Sequence, residues 1–362
     1  MSSRGYNIDP GSIRVNIISE TPGHFEGQGV HTAFLQTQVA LKSAGLDVRV
    51  NDWRPADIVH IQTMGLRAFA SLIAHPLRSV VTAHVVADSF LGSFILARLW
   101  RPIGNAYMKI FYGLATQVVA VSPEVGDQLS RMRLRSPVRV IPNAIDTSRF
   151  VAGPVERSVM RTRLGIADDA FVVMCTGQVQ PRKGVDDFIA AALALPDITF
   201  VWVGGQPFKR LTAEHDRMCR LVTDAPSNCI FVGSAPYDEM PGWYAGADVL
   251  FFPSRQETFG LTIIEAAASG LPLLLNDLTA YGPLFGDAYI AADAMSFVPW
   301  LVRLRDDTAL RATYAARALR MAAQYDTAQL GQRLLDVYGE VLIRRAPRRL
   351  WPAAFARGSH RR

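Results

Sequence analysis

One strand–turn–helix unit, residues 248–270, constrains the fold of this chain more than any other stretch. The run Asp248-Val249-Leu250-Phe251-Phe252-Pro253 is short, β-rich and bounded by turn signals. It reads as a buried strand of a parallel sheet. The segment Ser254-Arg255-Gln256-Glu257-Thr258-Phe259 follows, and Gly260 then opens a row of good helix formers that stops at Gly270 with Pro272 just beyond. Gly past the last turn with Pro soon after is a helix stop.

This order places the backbone N–H groups of Gly260 and Leu261 at a helix N-terminus, at the carboxyl end of a strand. That is an anion site, in the crevice where open α/β sheets bind ligands. Glu257 stands on the loop before the helix, and Glu265 just over one turn inside it. An anion cradle between two carboxylates suits a ligand with phosphates in the middle and hydroxyl-rich sugars at both ends, such as a nucleotide-sugar. An acid favouring the helix dipole, plus a solvated helix Glu, accounts for the same residues without a ligand. On physical grounds both readings stay open.

The chain's 362 residues exceed the usual single-domain size, so two domains are expected. A hydrophobic content of 49% with 19% charged residues gives a globular chain with a sizeable core and excludes a disordered one. Cys175, Cys219 and Cys229 form no C-x-x-C and no disulfide framework, which suggests a reduced, cytoplasmic setting. No basic-plus-apolar segment precedes the first strand, so no signal peptide is expected, and no apolar run reaches about 18 residues without a charge, so no spanning helix is expected either. The net charge of +6 points to an anionic partner: nucleotide phosphates, nucleic acid or a membrane surface.

Along the first half, strands are expected at residues 13–18, 48–51, 56–62, 79–84, 117–122 and 138–146. Gly27-Gln28-Gly29 lies between the first strand and a helix over 30–44. Such a turn lets backbone approach a ligand, and serves equally as a plain tight turn. His60 reads as a structural strand residue. His84 ends a buried strand, where a lone His is usually structural too. Residues 89–123 hold no Asp or Glu; Arg98, Arg101 and Lys109 sit among Phe94, Trp100 and Phe111, interrupted by Pro102 and Gly104. A basic, aromatic-bearing helix of this kind can lie in an anionic membrane interface, or can pack between sheet layers.

In the second half, residues 150–163 read as a polar linker, and 170–177 as the first strand of a second sheet. Gln178-Val179-Gln180-Pro181-Arg182-Lys183-Gly184 then leads into a helix from Val185. Arg182 and Lys183 beside a Gly at a strand-to-helix turn suit a diphosphate; a charged surface turn is the alternative. Further strands are expected at 200–205, 230–233 and 271–275, and helices at 295–304, 308–324 and 327–344. The end, 344–362, carries seven Arg and no acid, with Trp351 and Phe355 interleaved. It reads as a disordered basic tail.

Glu257 and Glu265 stand as E-x7-E within E-T-F-G-L-T-I-I-E. This resembles the signature of the retaining family 4 glycosyltransferases with the GT-B fold. Other runs follow in family order: D-I-V-H-I-Q for D-V-V-H-x-H, T-A-H for T-x-H, I-P-N-A-I-D for I-P-N-G-V-D, and G-Q-V-Q-P-R-K-G for G-R-x-x-x-x-K-G. The resemblance covers about residues 13–344.

It implies an α/β chain of two Rossmann-like domains facing a central cleft, divided as 1–150 and 151–325, with a crossover helix at 326–344 and a tail at 345–362. It implies a metal-independent retaining hexosyltransferase that uses a nucleoside-diphosphate sugar and front-face attack. By the resemblance Glu257 and His84 face the donor sugar, Glu265 holds the ribose, and Phe259-Gly260-Leu261 meets the diphosphate through its backbone. Lys183, with Arg182, stabilises charge on the leaving phosphate, while Gly233 lies by the base and Gly27, Gln28 and Gly29 face the donor. Gln178 stands where the family has Arg, and Arg182 is the residue placed to supply the missing charge. Ala144 replaces the family Gly, so no positive φ is expected there.

E-G-Q-G-V and F-V-W-V-G-G look similar to bacterial glycosyl-diacylglycerol synthases. The expectation is therefore a UDP-sugar donor (glucose or galactose), a membrane-lipid acceptor, no cofactor, no metal and no nucleic acid. The enzyme would sit on the inner face of the cell membrane through Arg98, Trp100, Arg101 and Lys109. The alternatives are a soluble acceptor, a GDP-mannose donor, or a non-catalytic nucleotide binder.

Overall fold

The structure, a computed structural model, describes residues 13–20, 29–84, 97–151, 153–205 and 214–345. The first half runs β1 (Arg14–Ile18), α1 (Gly29–Ser43), β2 (Asp47–Val50), β3 (Ile58–Ile61), α2 (Leu66–Ala74), β4 (Ser79–Ala83), α3 (Ala97–Gly113), β5 (Gln117–Ala120), α4 (Pro123–Arg131) and β6 (Val138–Val140). The second runs α5 (Pro154–Leu164), β7 (Val172–Thr176), α6 (Val185–Ala194), β8 (Thr199–Val203), α7 (His215–Thr223), β9 (Cys229–Gly233), α8 (Met240–Ala245), β10 (Val249–Phe252) and α9 (Leu261–Ala268). It closes with β11 (Leu273–Asn276), α10 (Gly282–Phe285), β12 (Ile290–Ala292), α11 (Phe297–Asp306), α12 (Thr308–Ala322) and α13 (Thr327–Arg345).

Two six-stranded sheets result, ordered β2-β1-β3-β4-β5-β6 and β12-β11-β10-β7-β8-β9. Every ladder between these strands is parallel. The central strands β3, β7 and β10 are buried at every residue, which is why their sequences are unbroken apolar runs rather than alternating ones. The two sheets belong to two Rossmann-like domains across a central cleft, the GT-B arrangement. The last helix, α13, returns to the first domain, where Leu330, Leu334, Val337, Tyr338 and Val341 join the core around β1 and Phe34. Ala144 does not take a positive φ, so a side chain is tolerated there.

Residues 150–163 do not form the expected polar linker. They hold the helix α5, with Pro154 in its first turn and Gly165 in the left-handed conformation at its end. The side chain of Glu156 accepts from the Gly153 N–H at 2.9 Å. The polar sequence misleads because two of its arginines, Arg157 and Arg161, turn onto the second domain. Arg161, 1% exposed, donates to the carbonyls of Gly246, Ala167, Asp168 and Ala170 and to Asp248 Oδ2 at 2.9 Å. Arg157 reaches the other oxygen of Asp248 at 2.7 Å. Phe150 is buried against the rings of Tyr237 and Tyr244. The connection is thus packed onto the second domain. Arg161→Met keeps most of the volume but leaves buried carbonyls without a donor. It should lower stability by about 2 kcal/mol, read as a reduced denaturant midpoint at unchanged slope.

Helix α3 runs through Pro102 and Gly104 without the expected interruption. Pro102, the sixth residue of that helix, lies past its first turn and removes one backbone bond, the one its N–H would make to the Arg98 carbonyl.

Candidate active site

Lys183 and Glu257 are brought together by two loops from different strands. After β7 the chain makes a single 3-10 turn, Pro181–Lys183, that ends at Gly184 with φ 71°. A Cβ at Gly184 would lie 2.2 Å from the carbonyl oxygen of Pro253. Only glycine therefore lets this turn rest against the end of β10. The Arg255 N–H donates to the Arg182 carbonyl at 2.7 Å and ties the loops together. The Lys183 ammonium then donates to Glu257 Oε1, which also accepts from Ser254 Oγ at 2.7 Å.

The pair is nearly dry, with the two side chains 12% and 9% exposed. Burial opposes the charge of Glu257, but Lys183 and Arg182 outweigh it and hold the carboxyl below its ordinary range. Burial also draws the Lys183 ammonium down, against the pull of Glu257. Lys183 Nζ lies 5.2 Å from the centre of the Phe252 ring. Arg182 donates from Nε to Gln180 Oε1 at 3.0 Å and from a terminal nitrogen to the Gln256 carbonyl at 3.3 Å, so its guanidinium is fixed beside the same pair.

Gly260, φ 87°, is the N-cap of α9, and no side chain caps that end. Cationic groups and a helix N-terminus thus converge at the carboxyl ends of β7 and β10. Glu265 projects from α9 and is 5% exposed. It accepts from the Tyr244 hydroxyl at 2.8 Å, and Tyr237 is a second hydroxyl partner. Burial pushes its carboxyl up to about 7, with the two tyrosines and Arg149 pulling the other way. The Tyr237 hydroxyl accepts in turn from Gln36 Nε2 of α1 at 3.3 Å. Gln36 Oε1 accepts from the Asp146 N–H at 2.8 Å. The Glu265 carboxyl is thereby linked across the cleft to the first domain.

His84 follows β4 at its carboxyl end and is buried. Its Nε2 lies 2.6 Å from Gln62 Oε1, and burial lowers its pKa to about 4. The ring is neutral at physiological pH. His60 is fully buried within β3, between Tyr338 and Thr82.

The other expected residues spread around this centre. Gln178 follows β7 half-buried, and Gly233 ends β9 with φ 82° and open space where a side chain would stand. The Phe259 ring is core, packed on Phe285 and Tyr325, so only its backbone is free to meet a ligand. Gly29 opens α1, while Gly27 and Gln28 lie outside the described residues. Lys109 is exposed on α3; the side chains of Arg98, Trp100 and Arg101, and the tail beyond 345, lie outside them too. Tyr237, Tyr244, Gln36 and Gln62 were not singled out from the sequence. Tyr244 sits in the W-Y-A-G-A-D run, but nothing local shows that its hydroxyl reaches Glu265.

Comparisons with known proteins bear on the family of this chain. Residues 29–149 match the model of glycosyltransferase family 4, and residues 170–307 that of glycosyl transferases group 1. The alpha-galactosylglucosyldiacylglycerol synthase of Streptococcus pneumoniae is 30% identical over 334 residues, covering 90% of this chain and 89% of that protein. The processive diacylglycerol alpha-glucosyltransferase of Acholeplasma laidlawii is 26% identical, over 74% of this chain and 80% of its own. Anabaena Alr3699/HepE, solved with UDP and glucose, superposes with a TM-score of 0.72 at 18% identity, over 90% of this chain and 99% of that one. Two family models that together match most of the chain, and a relative 30% identical over 90% of it, lead to one assignment: it belongs to the family 4, group 1 glycosyltransferases, and its relatives include glycosyl-diacylglycerol synthases.

Proposed function

We propose that this enzyme transfers glucose or galactose, with retention of the anomeric configuration, from a UDP-sugar to a membrane lipid such as diacylglycerol or a glycosyl-diacylglycerol. The observation that carries the reading is the buried Lys183–Glu257 pair, with Arg182 beside it, at the uncapped start of α9. It offers cations for a diphosphate and a carboxylate for sugar hydroxyls within one site. Glu265 supplies a second carboxylate, for the ribose. Arg182 and Lys183 stabilise the charge that develops on the leaving phosphate. That phosphate takes the proton from the attacking hydroxyl, so no metal and no resident cofactor is required. The UDP complexes of Alr3699/HepE support the choice of nucleotide.

The lipid acceptor rests on the relatives and on one face of the first domain. Among the described residues no helix is long and apolar enough to cross a membrane. Yet α2 and α3 expose Leu66, Ile73, Ile103 and Ile110, from 57% to 89% exposed. Phe69 of α2 stacks on Tyr107 and Phe111 of α3, joining the two helices into one face. Between Asp57 and Glu124 the sequence has a single acid, Asp88, against Arg67, Arg78, Arg98, Arg101 and Lys109. Such a face suits the anionic inner surface of the cell membrane, without spanning it.

The activity is tested with radiolabelled UDP-glucose, UDP-galactose and GDP-mannose, using membrane lipid as acceptor and the anomer of the product read by NMR. An α-linked, solvent-extractable product from a UDP-sugar is expected. Turnover of GDP-mannose alone, or a product that stays in the aqueous phase, would replace the reading. The face is tested on phosphatidylglycerol vesicles. Binding should be strong at low salt and weaken as the Debye length shrinks to about 8 Å at physiological salt. Each basic residue near the surface contributes about 1 kcal/mol. Lys109→Glu with Ile110→Ser should cut vesicle binding more than tenfold and leave UDP binding unchanged. Equal sedimentation of wild type and variant would remove α3 from the contact.

A further inference from the structure

A row of buried polar side chains runs from the crossover helix to the cleft. His60 Nδ1 lies 2.7 Å from the Tyr338 hydroxyl of α13. His60 Nε2 lies 2.7 Å from Thr82 Oγ1 and 3.2 Å from Gln62 Nε2. Gln62 Oε1 lies 2.6 Å from His84 Nε2. All five side chains are buried, with Tyr338 and His60 at 0%, Gln62 at 2%, His84 at 7% and Thr82 at 8% exposure. Four of them come from the ends of neighbouring strands. The register pairs His60 with Val80 and Ile61 with Val81, so the next step along each strand sets Gln62 beside Thr82.

Such a row has a direction. A carboxamide has a donor end and an acceptor end, and a neutral imidazole has one donor nitrogen and one acceptor nitrogen. Gln62 turns its oxygen to His84 and its nitrogen to His60. Its oxygen only accepts, so His84 Nε2 must carry the proton. A protonated His60 Nε2 would face the Gln62 amide N–H 3.2 Å away, donor against donor, so it is bare. The Thr82 hydroxyl accepts from Gln62 Nε2 at 3.5 Å and donates on to His60 Nε2, and His60 Nδ1–H donates to Tyr338. The reversed row would invert every one of these bonds and leave the His84 proton on Nδ1. Free imidazole in water interconverts the two forms; a buried ring cannot do so without breaking a bond in the row.

We propose that Gln62 is a positioning residue that locks His84 in the Nε2–H form, so that the ring's other nitrogen, Nδ1, is left as an acceptor for a substrate hydroxyl. At the far end of the row, Tyr338 brings the last helix of the chain into the first domain's half of the site. This rests on the reading of the cleft as the donor-sugar site. An acceptor nitrogen orients a hydroxyl through its hydrogen without adding positive charge beside the reacting carbon.

The test is a long-range 15N–1H correlation spectrum of histidine-labelled protein, with His60→Asn and His84→Asn used to assign the two rings. Wild type should show His84 protonated on Nε2 and His60 on Nδ1. In Gln62→Leu, which keeps the volume but offers no acceptor, the His84 signals should move towards a mixture of both forms. In Gln62→Glu the acceptor oxygen is restored and the Nε2 proton should return. With UDP-sugar and lipid acceptor, Gln62→Leu should lose about tenfold in kcat while the KM for donor stays within twofold. A His84 proton on Nδ1 in wild type, or a spectrum untouched by Gln62→Leu, overturns the lock. The wild-type spectrum decides even if the variant does not fold. It also needs no turnover, so a protein that transfers no sugar would count against the proposed function and not against the lock. Full kcat in a Gln62→Leu protein whose spectrum has changed would overturn the role of Nδ1.

Discussion

Lys183→Met should lower the stability of the protein by about 3–5 kcal/mol and weaken binding of uridine diphosphate at least tenfold. The two losses have different origins. Removing one partner of a buried ion pair leaves the other charge uncompensated, which costs more than the pair was worth. Glu257, 9% exposed, would keep Ser254 as its hydrogen-bond donor and only the more distant charge of Arg182. The affinity loss comes from removing a charge-assisted bond to phosphate, typically about 1.5–3 kcal/mol. A second substitution separates them. Lys183→Met with Glu257→Gln removes both charges, so most of the stability should return while nucleotide affinity stays low. The checks are thermal unfolding for the first quantity and calorimetry with UDP for the second, arranged as a double-mutant cycle. A double variant no more stable than Lys183→Met would show that the pair is not the source of the loss.

Glu265→Gln should stabilise the protein above neutral pH and damage nucleotide binding. The Glu265 carboxyl is raised to about 7 from an ordinary value of 4.5. Its folded pKa is thus above its unfolded one. The favourable contribution is fully present below pH 4.5 and is lost as pH rises through 7, because the unfolded chain releases the proton more readily. At about 1.4 kcal/mol per pKa unit, the burden at pH 8 is on the order of 3 kcal/mol. A neutral amide of the same shape does not carry it, and its oxygen still accepts from Tyr244. The melting curves of wild type and variant should therefore coincide near pH 4 and separate as pH rises. Ribose hydroxyls need an acceptor with two free oxygens, so UDP affinity should rise through pH 7 in wild type and stay flat and weaker in the variant. Parallel melting temperatures from pH 4 to 8 would exclude Glu265 as the titrating group. A destabilised carboxylate retained inside a site is what a ligand-binding role predicts.

Strand and helix order were legible because parallel strands buried on both faces have to be apolar runs, and because Gly and Pro punctuate them. The run from Val249 to Phe252 became β10, and Gly260 and Gly270 bracket α9 as glycines with positive φ. Short pieces escaped notice: α2, α8, α10 and β12 are each too brief for periodicity to register. The helix α5 is hidden in the sequence for another reason. Its polar residues included arginines whose partners, Asp248 and a set of carbonyls, stand elsewhere in the chain.

The same division runs through the site. The sequence alone determined the motif-borne groups: Glu257 and Glu265 eight residues apart, Arg182 and Lys183 ahead of a glycine, and His84 at a strand end. A motif is local, and backbone geometry converts its spacing directly into a face or a helix end. What the sequence left undecided was the state of each group. Lys183 and Glu257 are 74 residues apart and neutralise each other. Tyr244, 21 residues before Glu265, helps hold a carboxyl that burial has raised to near neutrality. Tyr338, 278 residues after His60, closes a row of hydrogen bonds that ends on His84. Charge, protonation and hydrogen-bond direction depend on burial and on the nearest partner in space, and only the packed chain sets those distances.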